Sequence, residues 1–317
     1  MDDLPLPVSG ELLEMYRLDS AKLARSTGMG AHLTRRIGQS LEFREHVPFS
    51  LGDDIRFIDR VASERARARG SRNGVPWENW VSRRFQAEDR FKVVCSIDTR
   101  ETMRFPKSTI QPKPLTLSKF QVARWLVESI AHICLSMGDT VSVHSLFGGS
   151  HSTDNLQADG LMQQIHRQTD DDGRHPLNLA PLERLLASDS IWIIISDLYA
   201  PPEHLQPLVN RIQSAQAGPR IVILIELDSW PYERHQLGAG ARRIEGPDAT
   251  VKLVNIDQNE LAYVEAQIAQ QRQLFETITL RSHWQWPETF DMSQDITNFF
   301  VKQFTEDHTL QKIFLRG

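Results

Sequence analysis

The chain has 317 residues, 40% of them apolar and 24% charged, with a formal net charge of −5. These are values of a soluble globular protein long enough for one large domain or two ordinary ones, and they do not point to a polyanion partner overall. Cys95 and Cys134 sit inside apolar runs and read as buried thiols, which fits a reducing compartment. No apolar stretch approaches the ~18 residues of a membrane span, and the acidic start MDDLPLPVSGELLEMY is no secretory signal, so a cytoplasmic location is expected.

The chain changes character near residue 91. Before it, Glu11 to Arg25 has helical spacing, with Leu12, Leu13, Tyr16 and Leu23 on roughly one face. A glycine-punctuated, charge-rich segment follows, in which RARARGSRNG reads as an exposed loop and VPWENWVSRRF as a strand. From Phe91 onward, strand-like and helix-like segments alternate. Val93–Ile97 is a predicted strand, and Leu117–Met137 a helix with Phe120, Ala123, Leu126, Val127, Ile130 and Ile133 on one buried face. Thr140–Phe147 is a second strand. Leu161–Arg167 and Leu179–Leu186 are short helices around the acidic turn TDDDGRHP. Ile191–Ile195, nearly all apolar, is a strand covered on both faces. Glu203–Gln216 is a helix, Arg220–Glu226 a central strand, Thr250–Val254 an edge strand and Gln258–Leu280 a long final helix; Ser293 to Leu315 holds one or two more amphipathic helices.

This alternation predicts an α/β fold with a doubly wound, mostly parallel sheet, since each parallel pair needs a right-handed crossover. Three parts are expected: residues 1–90 as an N-terminal subdomain with an Arg-rich loop, 91–282 as the sheet domain, and 283–317 as a helical tail.

Ligands of such a sheet lie outside the carboxyl ends of its strands. Those ends carry Asp98, then Ser196-Asp197, then Glu226 and Asp228. Aspartates flanked by hydroxyls are hard oxygen ligands suited to Mg2+ or Mn2+. The same acids also serve as caps for the turns and helices that follow.

The segment SLEFREHVPFSLGDDIRFID, ahead of a strand ending in SIDTRETM, resembles the bacterial domain-of-unknown-function family 58. Glu42, Phe43, Arg44, Gly52, Asp53, Asp54, Arg56, Ile58 and Asp59 match its signature, and the family's IDW reads IDR here, with Arg60 in the place of the Trp. The resemblance implies a von Willebrand factor A-like domain with a metal-ion-dependent adhesion site of the form Asp-x-Ser-x-Ser, plus a threonine and a second aspartate on other loops. Carried over residue by residue, Asp98 keeps the first acid, Arg100 replaces the first serine, Thr102 keeps a hydroxyl, Leu177 stands where the threonine is expected, and Asp197 keeps the last acid. A guanidinium does not deprotonate and offers a planar fork matched to carboxylates. Arg100 is therefore expected to pair with Asp98 or Asp197 and to disfavour Mg2+, unless it points to solvent. If a metal is held, its ligands would be Asp98, Thr102 and Asp197.

In the Gly52-Asp53-Asp54 segment the glycine permits a tight turn and the acids accept backbone hydrogen bonds. Arg44, Arg56 and Asp59 are expected to form a structural charge network there; a nuclease-like carboxylate site is the other reading. Arg56, Arg60, Arg65, Arg67, Arg69, Arg72, Arg83 and Arg84 make one basic region, read as a solvated face or protein-docking surface in preference to a nucleic-acid site. No P-loop, G-x-G-x-x-G, nucleophile elbow or zinc spacing is present.

The resulting expectation is a non-enzymatic protein-interaction module with no cofactor. The resemblance further implies an adaptor or co-chaperone of a MoxR-type AAA+ ATPase acting on a client complex, docking through the face that carries Asp98, Arg100, Thr102 and Asp197. The alternatives are a metal-dependent phosphoesterase built on Asp98, Asp197 and Asp54, and nucleic-acid binding through the arginine loop.

Overall fold

The computed structural model describes residues 6–18, 43–49, 58–68, 80–85, 91–104, 118–148, 155–169, 175–186, 190–217, 220–237, 240–245, 251–276, 278–287 and 296–316. The chain divides into two compact units, one of residues 30–90 and one of residues 1–29 together with 91–317.

In chain order, helix α1 (Gly10–Glu14) leads into strand β1 (Tyr16–Leu18); strand β2 (Phe43–Pro48), helix α2 (Arg60–Ala68) and strand β3 (Val81–Phe85) follow. Then come β4 (Lys92–Ile97), α3 (Lys119–Ser136), β5 (Thr140–Ser145), α4 (Leu161–Thr169), α5 (Ala180–Leu185), β6 (Ser190–Ser196) and α6 (Pro202–Gln216). The chain continues with β7 (Arg220–Asp228), α7 (Trp230–Leu237), β8 (Gly240–Glu245), β9 (Val251–Ile256), α8 (Gln258–Glu276) and β10 (Leu280–Gln285). It ends with α9 (Ile296–Glu306), α10 (His308–Ile313) and β11 (Phe314–Arg316).

The larger unit is built on a five-stranded sheet in the order β10-β7-β6-β4-β5, with every neighbouring pair parallel. This is the doubly wound, parallel α/β architecture expected from the sequence. The chain leaves β4 for β5 on one side and returns past it to β6 on the other, so the order reverses between β4 and β6. Beyond β5, Asn155 forms an antiparallel bridge to Ser142, whose hydroxyl donates to Asn155 Oδ1 at 2.8 Å.

The central strands are apolar throughout because both faces are covered. On one face Val94, Trp192, Ile194, Val222 and Leu224 pack with Leu205, Leu208 and Ile212 of α6 and with Phe275 of α8. Helix α3 begins at the cap Ser118, whose hydroxyl accepts the Gln121 N–H, and buries Phe120, Val122, Ala123, Leu126, Val127, Ile130 and Ile133. The C-terminal helices fold back on the sheet unit. Phe300 meets Trp125 and Trp284 edge-on at 5.6 Å each and stacks on Phe304. Asp307 caps α10 and takes a hydrogen bond from Trp284 Nε1 at 2.7 Å.

The details differ from expectation in five places. Helix α1 stops at Glu14, and β1 pairs antiparallel with β11, so the first residues belong with the sheet unit and the separate unit is 30–90 rather than 1–90. The RARA of the expected Arg-rich loop is the end of helix α2. The segment read as an edge strand, β9, pairs antiparallel with β8 outside the main sheet. The true edge is β10, whose parallel pairing with β7 runs through the expected 282/283 boundary. Helix α8 ends at Glu276 rather than at Leu280.

In the smaller unit, Asp59 is buried and organises its surroundings. Its Oδ1 accepts the Ala62 N–H at 3.0 Å, capping α2, while its Oδ2 lies 3.0 Å from His46 Nε2. The Ser63 hydroxyl donates to the Asp59 carbonyl and accepts the Val81 N–H, which ties α2 to β3. Glu42, Gly52, Asp53, Asp54, Arg56, Arg69 and Arg72, and the side chains of Phe43, Arg44, Arg67, Arg83 and Arg84, lie outside the described residues.

Candidate functional site

The reversal point between β4 and β6 is where the sequence placed its acids. The pairing of Ile97 with Ile195 sets Asp98 and Ser196 side by side, and the Asp98 N–H donates to the Ile195 carbonyl at 2.9 Å. Both Asp98 and Asp197 are completely buried.

Arg100 lies across Asp98. Its Nε donates to Oδ1 at 3.0 Å and its Nη2 to Oδ2 at 2.5 Å, while the Arg100 N–H also reaches Oδ1 at 3.0 Å. The Ser196 hydroxyl donates to Asp98 Oδ2 at 2.7 Å. The same guanidinium donates through Nη1 to the Tyr199 carbonyl at 3.1 Å, sits 3.6 Å from Asp197 Oδ1, and covers the Phe147 ring at 4.4 Å. Burial opposes its charge, but Asp98, with Asp197 behind it, outweighs this and raises the Arg100 pKa.

A second cation, which the sequence reading missed, completes the arrangement. Lys119, in the first turn of α3, is fully buried, with Nζ 2.9 Å from Asp197 Oδ2 and 3.2 Å from Glu233 Oε1, over the Tyr199 ring at 4.3 Å. Burial alone would neutralise it, yet Asp197 and Glu233 hold its pKa above the ordinary lysine value. Burial likewise pulls Asp197 upward, and Lys119 and Arg100 reverse this, with help from the Tyr199 N–H that its Oδ1 accepts at 2.9 Å. A cation at a helix N-terminus opposes the helix dipole. That signal in SKFQVARWL could have pointed to carboxylates waiting for Lys119.

Tyr199 joins this cluster to a second one. Its hydroxyl donates to Asp228 Oδ1 at 3.0 Å, and burial beside Asp228 and Glu233 raises the phenol's pKa far above the usual range. Asp228 also accepts the Trp230 N–H and faces His283 Nε2 at 2.9 Å and Arg272 at 2.6 Å. Burial would raise the Asp228 pKa, but these partners, His283 first, take it well below the carboxylate range. Glu226 is paired with Arg272 at 2.5 Å and with Arg281. The ligand-capable atoms of Glu226, Asp228 and His283 lie within 4.8 Å of one another, but Arg272 and Arg281 already supply the opposite charge there.

The remaining site positions of the sequence reading are placed as follows. Thr102 lies in the short 3-10 turn Glu101–Arg104, and its Oγ1 is buried without a hydrogen-bond partner. Leu177 packs against the core cluster, and its neighbour Asn178 anchors the loop, its N–H donating to the Leu146 carbonyl at 2.8 Å. This donor set does not fit a divalent cation. The Asp98 and Asp197 oxygens are committed to a guanidinium, an ammonium, a hydroxyl and backbone N–H groups, and two fixed positive charges stand beside them.

Behind the crest, Trp192 Nε1 donates to Ser96 Oγ at 2.8 Å, and Ser96 Oγ lies 3.2 Å from His144 Nδ1. Burial lowers the His144 pKa to about 4 and keeps the ring neutral, so this relay is part of the core. Cys95 and Cys134 are buried and free, with burial pushing the Cys95 thiol up to about 12.

Fold and site together define a doubly wound α/β domain whose crevice at the strand-order reversal is closed by internal ion pairs. No protein-family model matches the chain, and no curated protein does. Among solved structures it is similar to an aerotolerance-related membrane protein from Bacteroides fragilis, at 11% identity and a TM-score of 0.34, over 68% of this chain and 99% of that one. It is also similar to the conserved hypothetical protein BatB from Bacteroides thetaiotaomicron, at 10% identity and a TM-score of 0.33, over 68% of this chain and all of that one. Among the described residues no helix is long and apolar enough to cross a membrane.

Proposed function

We propose that the chain is a non-enzymatic protein-interaction module of the cytoplasm, with its partner-docking face at the strand ends, where the part-exposed Arg100 and Thr102 lie by the buried Asp98 and Asp197. The observation that carries this reading is the double pairing of the buried acids: Arg100 spans Asp98 and approaches Asp197, and Lys119 holds Asp197 from the other side. Carboxylates neutralised in this way are poorly placed to act as general bases or to hold a catalytic metal, because their charge and lone pairs are already engaged. The von Willebrand A-like fold class is compatible with a role in holding other proteins, and the sequence signature around Asp59 supports the resemblance to domain-of-unknown-function family 58. On that resemblance the partner is a MoxR-type AAA+ ATPase, with the chain serving as its adaptor or co-chaperone on a client complex.

The test is affinity capture from the native cell lysate with and without ATP, using wild type and Arg100→Glu. An AAA+ ATPase retained by wild type and lost with Arg100→Glu supports the reading. Phosphoesterase activity that needs Mn2+ and disappears with Asp197→Ala would replace it with the hydrolase alternative.

A further inference from the structure

Three residues stand in one row across the amino-terminal edge of the sheet. Parallel pairing sets Lys92 of β4 beside Ser190 of β6, and Ser190 beside Arg220 of β7. Their side chains therefore leave the same face as Val94, Trp192 and Val222, two residues further along each strand. Adjacent strands are ~4.8 Å apart, so the two cations start about 10 Å apart at Cα, within reach of one shared ligand for side chains of this length. Arg220 does not point away. Its Nε donates to the carbonyl of Leu186, which packs on this face with Val94 and Trp192, so the guanidinium lies back across β6 towards Lys92. Between the cations, Ser190 is 4% exposed and its hydroxyl makes no hydrogen bond, an unmade bond that costs free energy unless a ligand supplies it. Among the described residues neither Lys92 nor Arg220 forms an ion pair, whereas Arg100, Lys119, Arg272 and Arg281 are each paired with a carboxylate. Asp139, the acid just ahead of β5, accepts the Phe91 N–H at 2.8 Å.

We propose that Lys92, Ser190 and Arg220 form a binding site for a phosphate group, free or as a monoester, at the amino-terminal edge of the sheet. A phosphate dianion balances the two uncompensated cations. Its oxygens take the Lys92 ammonium and the Nη groups of Arg220, of which only Nε is engaged by the protein, and one of them accepts the Ser190 hydroxyl. A carboxylate supplies half that charge and fewer oxygens than the row has donors. The row lies at the end of the strands opposite to the docking face, and its ligand is independent of what docks there.

The experiment is equilibrium dialysis of the full chain against radiolabelled inorganic phosphate at constant ionic strength, as wild type, Lys92→Gln and Ser190→Ala. Dialysis is preferred to melting because phosphate stabilises folded proteins in general by exclusion from their surface. Wild type is expected to bind one phosphate with a dissociation constant on the order of 1 mM or below. Lys92→Gln should weaken binding at least about tenfold, as for a lost charge-assisted bond, and Ser190→Ala about fivefold, as for a neutral one. O-phosphoserine and acetate serve as competitors. Competition by phosphoserine at lower concentration than phosphate assigns the site to a monoester, and the reverse order to the free ion. Acetate competing as well as phosphate would overturn the assignment. So would saturable binding that both variants retain unchanged, or its absence from wild type at roughly tenfold the expected constant. Melts in phosphate-free buffer give a second readout on Ser190→Ala. A hydroxyl without a partner contributes nothing, so this variant should melt no lower than wild type, and a clear fall in Tm would mean that the hydroxyl is already bonded and that the site is not open.

Discussion

Lys119→Met removes one positive charge from the crevice while keeping the length and most of the volume of the side chain. Asp197, fully buried, would keep only Arg100 at 3.6 Å and the Tyr199 N–H, and Glu233 would lose the ammonium at 3.2 Å and keep the Ser229 hydroxyl. Deleting one member of a buried pair costs about 3–5 kcal/mol, and the remaining contacts to Asp197 put this case near the lower bound, ~3 kcal/mol. At the scale of a domain of this size that is a fall in Tm of roughly 6–12 °C. The pH dependence has a definite sign. The lowered Asp197 pKa gives stability that is present above the ordinary carboxylate value of 3.8 and lost as pH falls through the folded value. The raised Lys119 pKa gives stability that is full below 10.5 and lost as pH rises through the folded value. The deficit of the variant is therefore largest between these limits and shrinks outside them. Urea melts at pH 7 of wild type, Lys119→Met, Asp197→Asn and the double variant measure the coupling. A double variant more stable than Lys119→Met is expected, since the orphaned charge has gone. A single-variant loss below about 1 kcal/mol would mean that the pair is held no more tightly than an exposed one, and the reasoning would fall.

Two further outcomes follow from groups outside the crevice. Glu128, half-buried on α3 with Oε2 lacking a partner, has its pKa pushed by burial up to about 7. Its folded form binds a proton that the unfolded chain has released, so stability should fall as pH rises from 4.5 to about 7. The advantage of Glu128→Gln over wild type should grow across that window by about 1 kcal/mol, after allowing for solvent screening, and denaturant midpoints at pH 4.5 and 8.5 measure it. Asp59→Ala removes the cap of α2 and should cost about 1–2 kcal/mol, with faster hydrogen exchange of the amides of residues 60–68; Asp59→Asn, which keeps the capping oxygen, should lose much less.

What was legible in the sequence follows from how local each signal is. Strands β4, β6 and β7 announced themselves because burial on both faces demands uninterrupted apolar residues. Strand β10 did not, because as an edge strand it alternates buried Ser282 and Trp284 with the more exposed His283 and Gln285. Strand β9 was recognised as a strand, but its partner was not, since pairing is a property of the fold and not of the segment. The crevice shows the same division. Asp98, Asp197 and the pairing of Arg100 could be read because strand ends and a neighbour two residues away are local facts. Arg272 and Arg281 could not, and Lys119 showed only as a cation misplaced at a helix start without its partners, because the carboxylates that keep each of them charged come from elements remote in the chain.

The turn that aims Tyr199 at Arg100 has its own energetics, and they can be inverted experimentally. Leu198 has φ 59°, in the left-handed region that a residue with a Cβ enters at a cost of roughly 1–2 kcal/mol. The geometry of the crevice depends on it: the Leu198 N–H donates to Ser196 Oγ at 3.0 Å, the Tyr199 N–H to Asp197 Oδ1, and the Tyr199 carbonyl is left to accept from Arg100. The strain is offset by the Leu198 side chain, 1% exposed within the cluster that includes Trp192 and Leu205. Truncating that side chain should cost about 2–5 kcal/mol, as for other buried leucines. Leu198→Ala loses the packing and keeps the strain, whereas Leu198→Gly loses the packing and sheds the strain. Glycine should therefore be the better residue of the two by about 1 kcal/mol, the reverse of the usual order of these residues in regular structure. Chemical denaturation of the two variants side by side decides the matter: if the alanine variant is the more stable, Leu198 is not strained, and the left-handed turn is not what presents the Tyr199 carbonyl to the guanidinium.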